Sequence, residues 1–187
     1  MNMMTNGKEY LKNETDGDQL FRIGLSEQLG YVFEWVCDNK KDICSFCEWW
    51  LTSPCFLQFF DDFTLFSQSY RYIYTVFSED KNFCNIKDDA DAVYDRDAAF
   101  WMGYLFTEWH MTRDANAYDI FRNNVLYICN NYEVLHTQSV QVAIDMIIEE
   151  SPKLELEDDA LKELMTKTSY YDIDFDEPVD ELSENFC

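Results

Sequence analysis

Apolar residues along this chain recur mainly at three- and four-residue spacing, which predicts helices. Leu20, Ile23, Leu25, Leu29, Val32, Phe33 and Val36 keep that period and predict a helix over 20–36. Ser26 and Gly30 lie inside it, where small residues allow a neighbour to pack closely. Asp42 is placed to cap a second helix through Trp50. Thr52-Ser53-Pro54 then interrupts the pattern, with Ser53 as the expected N-cap and Pro54 as the first helical residue of a short helix. Residues 61–68 have no clear period. Tyr70–Phe77 is aromatic and β-branched, which favours a strand, but no partner strand is found, so a helix is the better expectation.

Residues 79–96 read as a charged loop. The clearest helix follows, from Asp95 or Asp97 through Met111. A further helix is expected over 114–130, and another from Thr137 or Ser139 to about Glu149, stopped by Ser151-Pro152. Leu154–Met165 predicts a short helix. Beyond it Tyr171, Ile173 and Phe175 alternate with Asp172, Asp174 and Asp176, a period-two, extended pattern. The expected fold is mainly α. It is a compact helical bundle over 19–150, with a flexible N-terminus over 1–18 and an acidic, partly extended tail over 151–187.

Composition supports a packed core. Apolar residues are 47% of the 187, and aromatics reach 17%, which excludes a disordered chain. Only 5 Gly and 3 Pro argue against a turn-rich sandwich or barrel. Charge changes the picture more. Asp and Glu total 37 against 14 Lys and Arg, a net −23. The tail carries 12 acids and 3 bases, so about −14 remains on the body. Direct nucleic-acid binding and an anionic membrane surface are both disfavoured, and a cationic partner is expected. The first residues lack an apolar run of export type, and no stretch matches a membrane span. A cytoplasmic location with reduced, mostly buried cysteines is therefore expected.

Candidate chemistry is sparse. Cys44-Ser-Phe-Cys47 is a C-x-x-C, but a second one is absent and neither histidine stands at zinc-finger spacing. A packing role outranks a metal or redox role for Cys44 and Cys47. Glu108-Trp109-His110 does not place two histidines on one helical face, so His110 is expected in the core or at its rim. His136 is expected to tie down the connection after Asn130-Asn131. Paired acids such as Asp61-Asp62 fit a solvated surface in so acidic a chain. No phosphate loop or nucleophile elbow is present, so no enzyme, metal or cofactor is expected.

The segment 94–148 resembles a family of small uncharacterised bacterial proteins, common in gut Firmicutes and encoded beside ADP-ribosyltransferase-like toxins. The residues that carry it are Asp95-Arg96, Phe100-Trp101-x-Gly103-Tyr104, Glu108-Trp109-His110, Ala117-Tyr118-x-Ile120-Phe121 and Tyr132-x-x-Leu135-His136-Thr137. Trp50-Leu-Thr-Ser53 followed by Phe59 fits an upstream element. The glycine-rich turn of the family is replaced here by Phe63-Thr-Leu-Phe-Ser67. The resemblance implies an antitoxin role. It makes Trp101, Gly103, Tyr104, Trp109, His110 and His136 structural signposts.

The expected function is therefore non-catalytic: neutralising a basic partner protein, a toxin or a nucleic-acid enzyme. Tyr170, Tyr171, Asp172, Ile173, Asp174, Phe175 and Asp176 are the expected contact residues, added as a strand to the partner. The alternative is a nucleic-acid mimic of anti-restriction or anti-CRISPR type, lying in the cationic groove of a nuclease. The sequence leaves the oligomeric state open.

Overall fold

The computed structural model describes residues 15–89 and 96–173. Among them are eleven α-helices and no strand, so the mainly helical bundle expected from periodicity is the observed architecture. The first helix, α1, runs Asp16–Asp38. Thr15 caps it in a capping box: its hydroxyl accepts from Asp18 N, and the Asp18 carboxylate accepts from Thr15 N. Residues 15–18 are thus the ordered start of a helix, a correction to the flexible N-terminus expected there. The preceding residues lie outside the described ones.

Asp42 caps α2, Ile43–Thr52, as its position suggested, accepting from Ser45 N at 2.7 Å. The next helix, α3 (Cys55–Asp61), starts one residue later than expected. Pro54 stands at its N-cap, and Ser53 donates its hydroxyl back to Trp50 O instead of capping forward. Asp62 caps the single turn α4, Phe63–Phe66, and Ser69 caps α5, Tyr70–Phe77. The aromatic segment 70–77 is a helix because its Ile73 and Phe77 face the core at helical spacing, and no strand offers it an edge. A 3-10 turn at Phe83–Asn85 buries Phe83. The following residues join the α1–α2 connection: Asp42 N donates to Lys87 O and Asp89 N to Lys40 O.

The central helix, α6, runs Arg96–Arg113. The single helix expected over 114–130 is two, α7 (Ala117–Phe121) and α8 (Val125–Asn130). Asn124 separates them with φ 59°, a left-handed conformation that its type tolerates, and its side chain caps Tyr127 N. A short α9 (Tyr132–Leu135) leads to α10, Val140–Glu150, capped by Ser139. The last helix, α11, is Asp159–Thr166, later than expected, because Asp158 supplies the cap by accepting from Leu161 N. The predicted extended segment begins instead with a 3-10 turn at Tyr170–Asp172. Residues beyond 173 lie outside the described ones.

Packing starts from α1 against α6, the most extensive helix pair. Arg22 meets Glu108, Gly30 meets Phe100, and Glu34 and Asp38 meet Arg96, so the two helices run antiparallel. A Cβ on Gly103 would lie 2.6 Å from Leu29 O, and one on Gly30 would lie 2.8 Å from the Phe100 ring. Both glycines allow near backbone contact, as the small residues in the sequence implied. Around this pair Phe33 meets Phe46 and Trp50 edge-to-face, while Trp50 is tilted against Phe56 and stacked on Phe106. The second layer, α7, α8 and α11, closes over α2.

Cysteine pairing departs from expectation. Cys44 on α2 and Cys129 on α8 form a disulfide across a sequence separation of 85, not two reduced thiols. Helix packing sets their Cα atoms 6.7 Å apart, a separation that no local spacing reveals. Cys47 and Cys55 are buried thiols, and desolvation pushes Cys55 up to about 12. No helix among the described residues is long and apolar enough to cross a membrane.

The glycines should respond to substitution in opposite directions. Gly24 has nothing within 4 Å of a built Cβ, so Gly24→Ala should raise stability by about 0.5–1 kcal/mol. Gly103→Ala should lower it by roughly 1–3 kcal/mol through overpacking. Urea denaturation of both variants checks this, and a destabilised Gly24→Ala would contradict it. Loss of the Cys44–Cys129 link in Cys129→Ser should lower oxidised-state stability by about 2–4 kcal/mol. An unchanged urea midpoint would show that the link contributes nothing.

Candidate protein-binding surface

The most polar point of the interior lies where α1, α6 and α10 meet. Glu108 is 1% exposed on α6. Its Oε2 accepts from Arg22 Nη1 and from Gln141 Nε2 at 3.2 Å, and its Oε1 lies 3.1 Å from the Ser26 hydroxyl. Thr112 donates to the Glu108 carbonyl at 2.6 Å. A buried carboxylate is tolerable only when paired and hydrogen-bonded in this way. Its lone pairs are taken up by partners on α1 and α10, so the cluster clamps three helices and leaves little acceptor capacity for a substrate. Among the described residues no group of three His, Cys, Asp or Glu side chains is placed to hold a metal ion.

The residues singled out from sequence fall into two groups. Trp109 is buried in the core, and Gly103 lies against Leu29. Trp101 is half-buried with its ring 5.5 Å from Tyr132. Tyr104 stacks beside Phe100, and desolvation raises its phenol above the usual range, with Glu108 adding to the rise. His110 sits between Phe56 and Phe60, at 5.3 and 4.1 Å, and its Nδ1 lies 2.8 Å from Ala115 O. His136 stacks on Tyr132 at 4.5 Å, with Nδ1 2.8 Å from Tyr132 O, which ties down the turn after α9. These six are spread along α6 and its neighbours, not gathered into one site.

The tail residues are divided. Tyr170 and Ile173 pack against the core, and Tyr170 N donates to Asp61 at 2.6 Å. Both are partly buried against the body. Tyr171 is 76% exposed. Only the backbone of Asp172 is described, and Asp174, Phe175 and Asp176 lie outside the described residues. The alternation seen in sequence is therefore broken at its start, because the Tyr170–Asp172 turn redirects the side chains.

A surface that sequence reading missed lies along the outside of α1. Leu20 looked like a core position but is 71% exposed. Phe21 and Tyr31 are exposed beside it, and Phe21 contacts Phe66 at 5.6 Å. Phe63, 69% exposed, extends the patch, its ring 5.1 Å from Phe66. Tyr31 closes the other end between Tyr70 and Phe100. The signal available in sequence was the width of the apolar stripe on α1, which covers more of the helix than one buried face needs.

No family model matches the chain, and neither the curated proteins nor the solved structures compared with it include a match.

His110 provides a pH test of the core. Desolvation lowers its pKa, while hydrogen bonding to Ala115 O and the nearby Asp114 and Asp61 oppose the shift. The unfolded chain then binds a proton more readily than the folded one. The contribution is present above the ordinary value of about 6.5 and is lost as pH falls through the lowered folded value. Thermal melts should therefore fall between about pH 7.5 and 5.5, less steeply in His110→Gln. Parallel slopes for the two proteins would refute the assignment.

Proposed function

We propose that the protein is a non-catalytic binding protein that neutralises a basic partner protein, in the manner of an antitoxin. The observation that carries this reading is the disposition of charge. Arg22, Lys41, Arg96, Arg113 and Arg122 each pair with carboxylates of the same chain. Lys153 is turned onto Asn123 and the Ile148 carbonyl. These cations are satisfied internally in a chain of −23, so the field it presents outward is acidic and attracts a cationic surface. The resemblance of 94–148 to toxin-associated proteins supports the antitoxin form, and the cytoplasm is the setting the proposal assumes. Tyr171 and the acidic residues that follow it are the proposed contribution of the C-terminal segment.

A second reading, nucleic-acid mimicry, is favoured by one local feature. Glu149, Glu150, Glu157, Asp158, Asp159 and Glu163 are exposed within fifteen residues of chain. Along α1 the comparable row is interrupted, because Arg96 lies 2.5 Å from Glu34 and 3.1 Å from Asp38. The mimic reading would place the carboxylates of 149–163 in a cationic groove.

Affinity capture from the native host should retain a basic protein at about 50 mM salt and release it near 0.5 M, where screening is strong. That protein, expressed alone, should arrest growth, and co-expression of this chain should relieve the arrest. A nuclease whose capture is competed by DNA would favour mimicry. An acidic partner held independently of salt would end both readings.

A further inference from the structure

Leu20, Gly24, Glu27 and Tyr31 stand at i, i+4, i+7 and i+11 and form one outward line on α1. The exposed Leu20 and Phe21 lie on one side of Gly24, and Tyr31 lies on the other. No described residue stands within 4 Å of a Cβ built on Gly24, so the line contains an open notch between Leu20 and Phe21 on one side and Glu27 on the other. A glycine inside a 23-residue helix weakens it. At Gly30 and Gly103 internal packing accounts for that cost, but at Gly24 no described residue does. Close approach from outside is the use left for a missing side chain.

The exposed charges nearest the notch on α1 are carboxylates, and Arg71, also exposed, lies farther off, over the Trp35 and Tyr70 rings. Asp16 and Glu27 lie on the same side of α1, and Asp61-Asp62 precede the exposed Phe63. The single cation of α1, Arg22, is buried against Glu108. An apolar strip with a gap for one side chain, bordered by carboxylates, complements an amphipathic helix bearing Lys or Arg.

We propose that this notch docks an amphipathic helix of a cationic protein. An apolar side chain of that helix seats over Gly24, and its basic side chains meet Asp16 and Glu27. The proposal rests on the reading of a basic partner and adds the place of contact. A second copy of the chain suits the notch poorly, because it would bring the same carboxylates together on two molecules of −23 each.

The probe is a synthetic helix of Leu and Lys at heptad spacing, with a Leu/Glu counterpart, titrated calorimetrically into the full chain. Gly24→Leu fills the notch without changing charge. Leu126→Ser removes an exposed apolar side chain, 52% accessible, from a different helix. Circular dichroism and melting confirm that both variants fold. The Leu/Lys helix should bind, Gly24→Leu should weaken it by about tenfold, and Leu126→Ser should leave it unchanged. The Leu/Glu helix should not bind. Equal affinities for the wild type and Gly24→Leu would overturn the notch and leave the basic-partner reading standing. Failure of the Leu/Lys helix to bind any form would overturn both. Self-association of the wild type, abolished by Gly24→Leu in sedimentation, would overturn the proposal in favour of a second copy.

Discussion

The close antiparallel contact of α1 and α6 is the constraint on which the rest of the structure depends. Gly30 and Gly103 let the two helices approach closely: a Cβ at Gly103 would crowd the Leu29 backbone, and one at Gly30 would crowd the Phe100 ring. At one end Arg96 joins Glu34 and Asp38, and at the other Arg22 joins Glu108 inside the core. The two ends differ in consequence. The Arg96 pairs lie near solvent and contribute little each. The Arg22–Glu108 pair is dry, so removing either partner would strand a buried charge. Ser26 and Gln141 complete the hydrogen bonding of the carboxylate, and Gln141 draws α10 into the same junction.

Most of the remaining helices are too short to hold by themselves. Turns such as Phe63–Phe66 and Tyr132–Leu135 have one helical turn each and depend on tertiary packing. This explains the density of aromatic residues. Each ring buries a large area against several neighbours, so Phe33 alone meets Phe46, Trp50 and Phe106. Side-chain caps at Asp42, Asp62, Ser69, Ser139 and Asp158 then stop and start the chain without many glycines or prolines.

Arg22, Lys41, Arg96, Arg113 and Arg122 are drawn onto carboxylates of the same chain, while Lys40, Arg71, Lys81 and Lys87 are exposed among a much larger number of acidic residues. An apolar strip along α1 interrupts that acidic exterior. Under the proposed function, the acidic exterior would attract a cationic protein at long range and the apolar strip would contact it at short range. At the start of the C-terminal segment Tyr170 and Ile173 pack against the body, while Tyr171 stands exposed.

In the sequence by itself, local pattern was enough for the helical class, several helix limits and the caps at Asp42 and Ser139, because apolar period and N-cap chemistry are local properties. Asp42, Ser139 and the break at Ser151-Pro152 were legible for that reason. The sequence also determined the acidity. Which apolar residues face inward was settled by tertiary packing: Phe21 keeps the four-residue spacing of Leu25 and Leu29 yet stands exposed. Packing also brought Cys44 to Cys129, where reduced thiols were expected, and Glu108 to Arg22 across 86 residues. It also separated Gly24 from Gly30, identical residues six positions apart on one helix. The physical reason is common to all of these. Periodicity shows that a helix has a buried side, but the angle at which its neighbours cross it decides where that side ends.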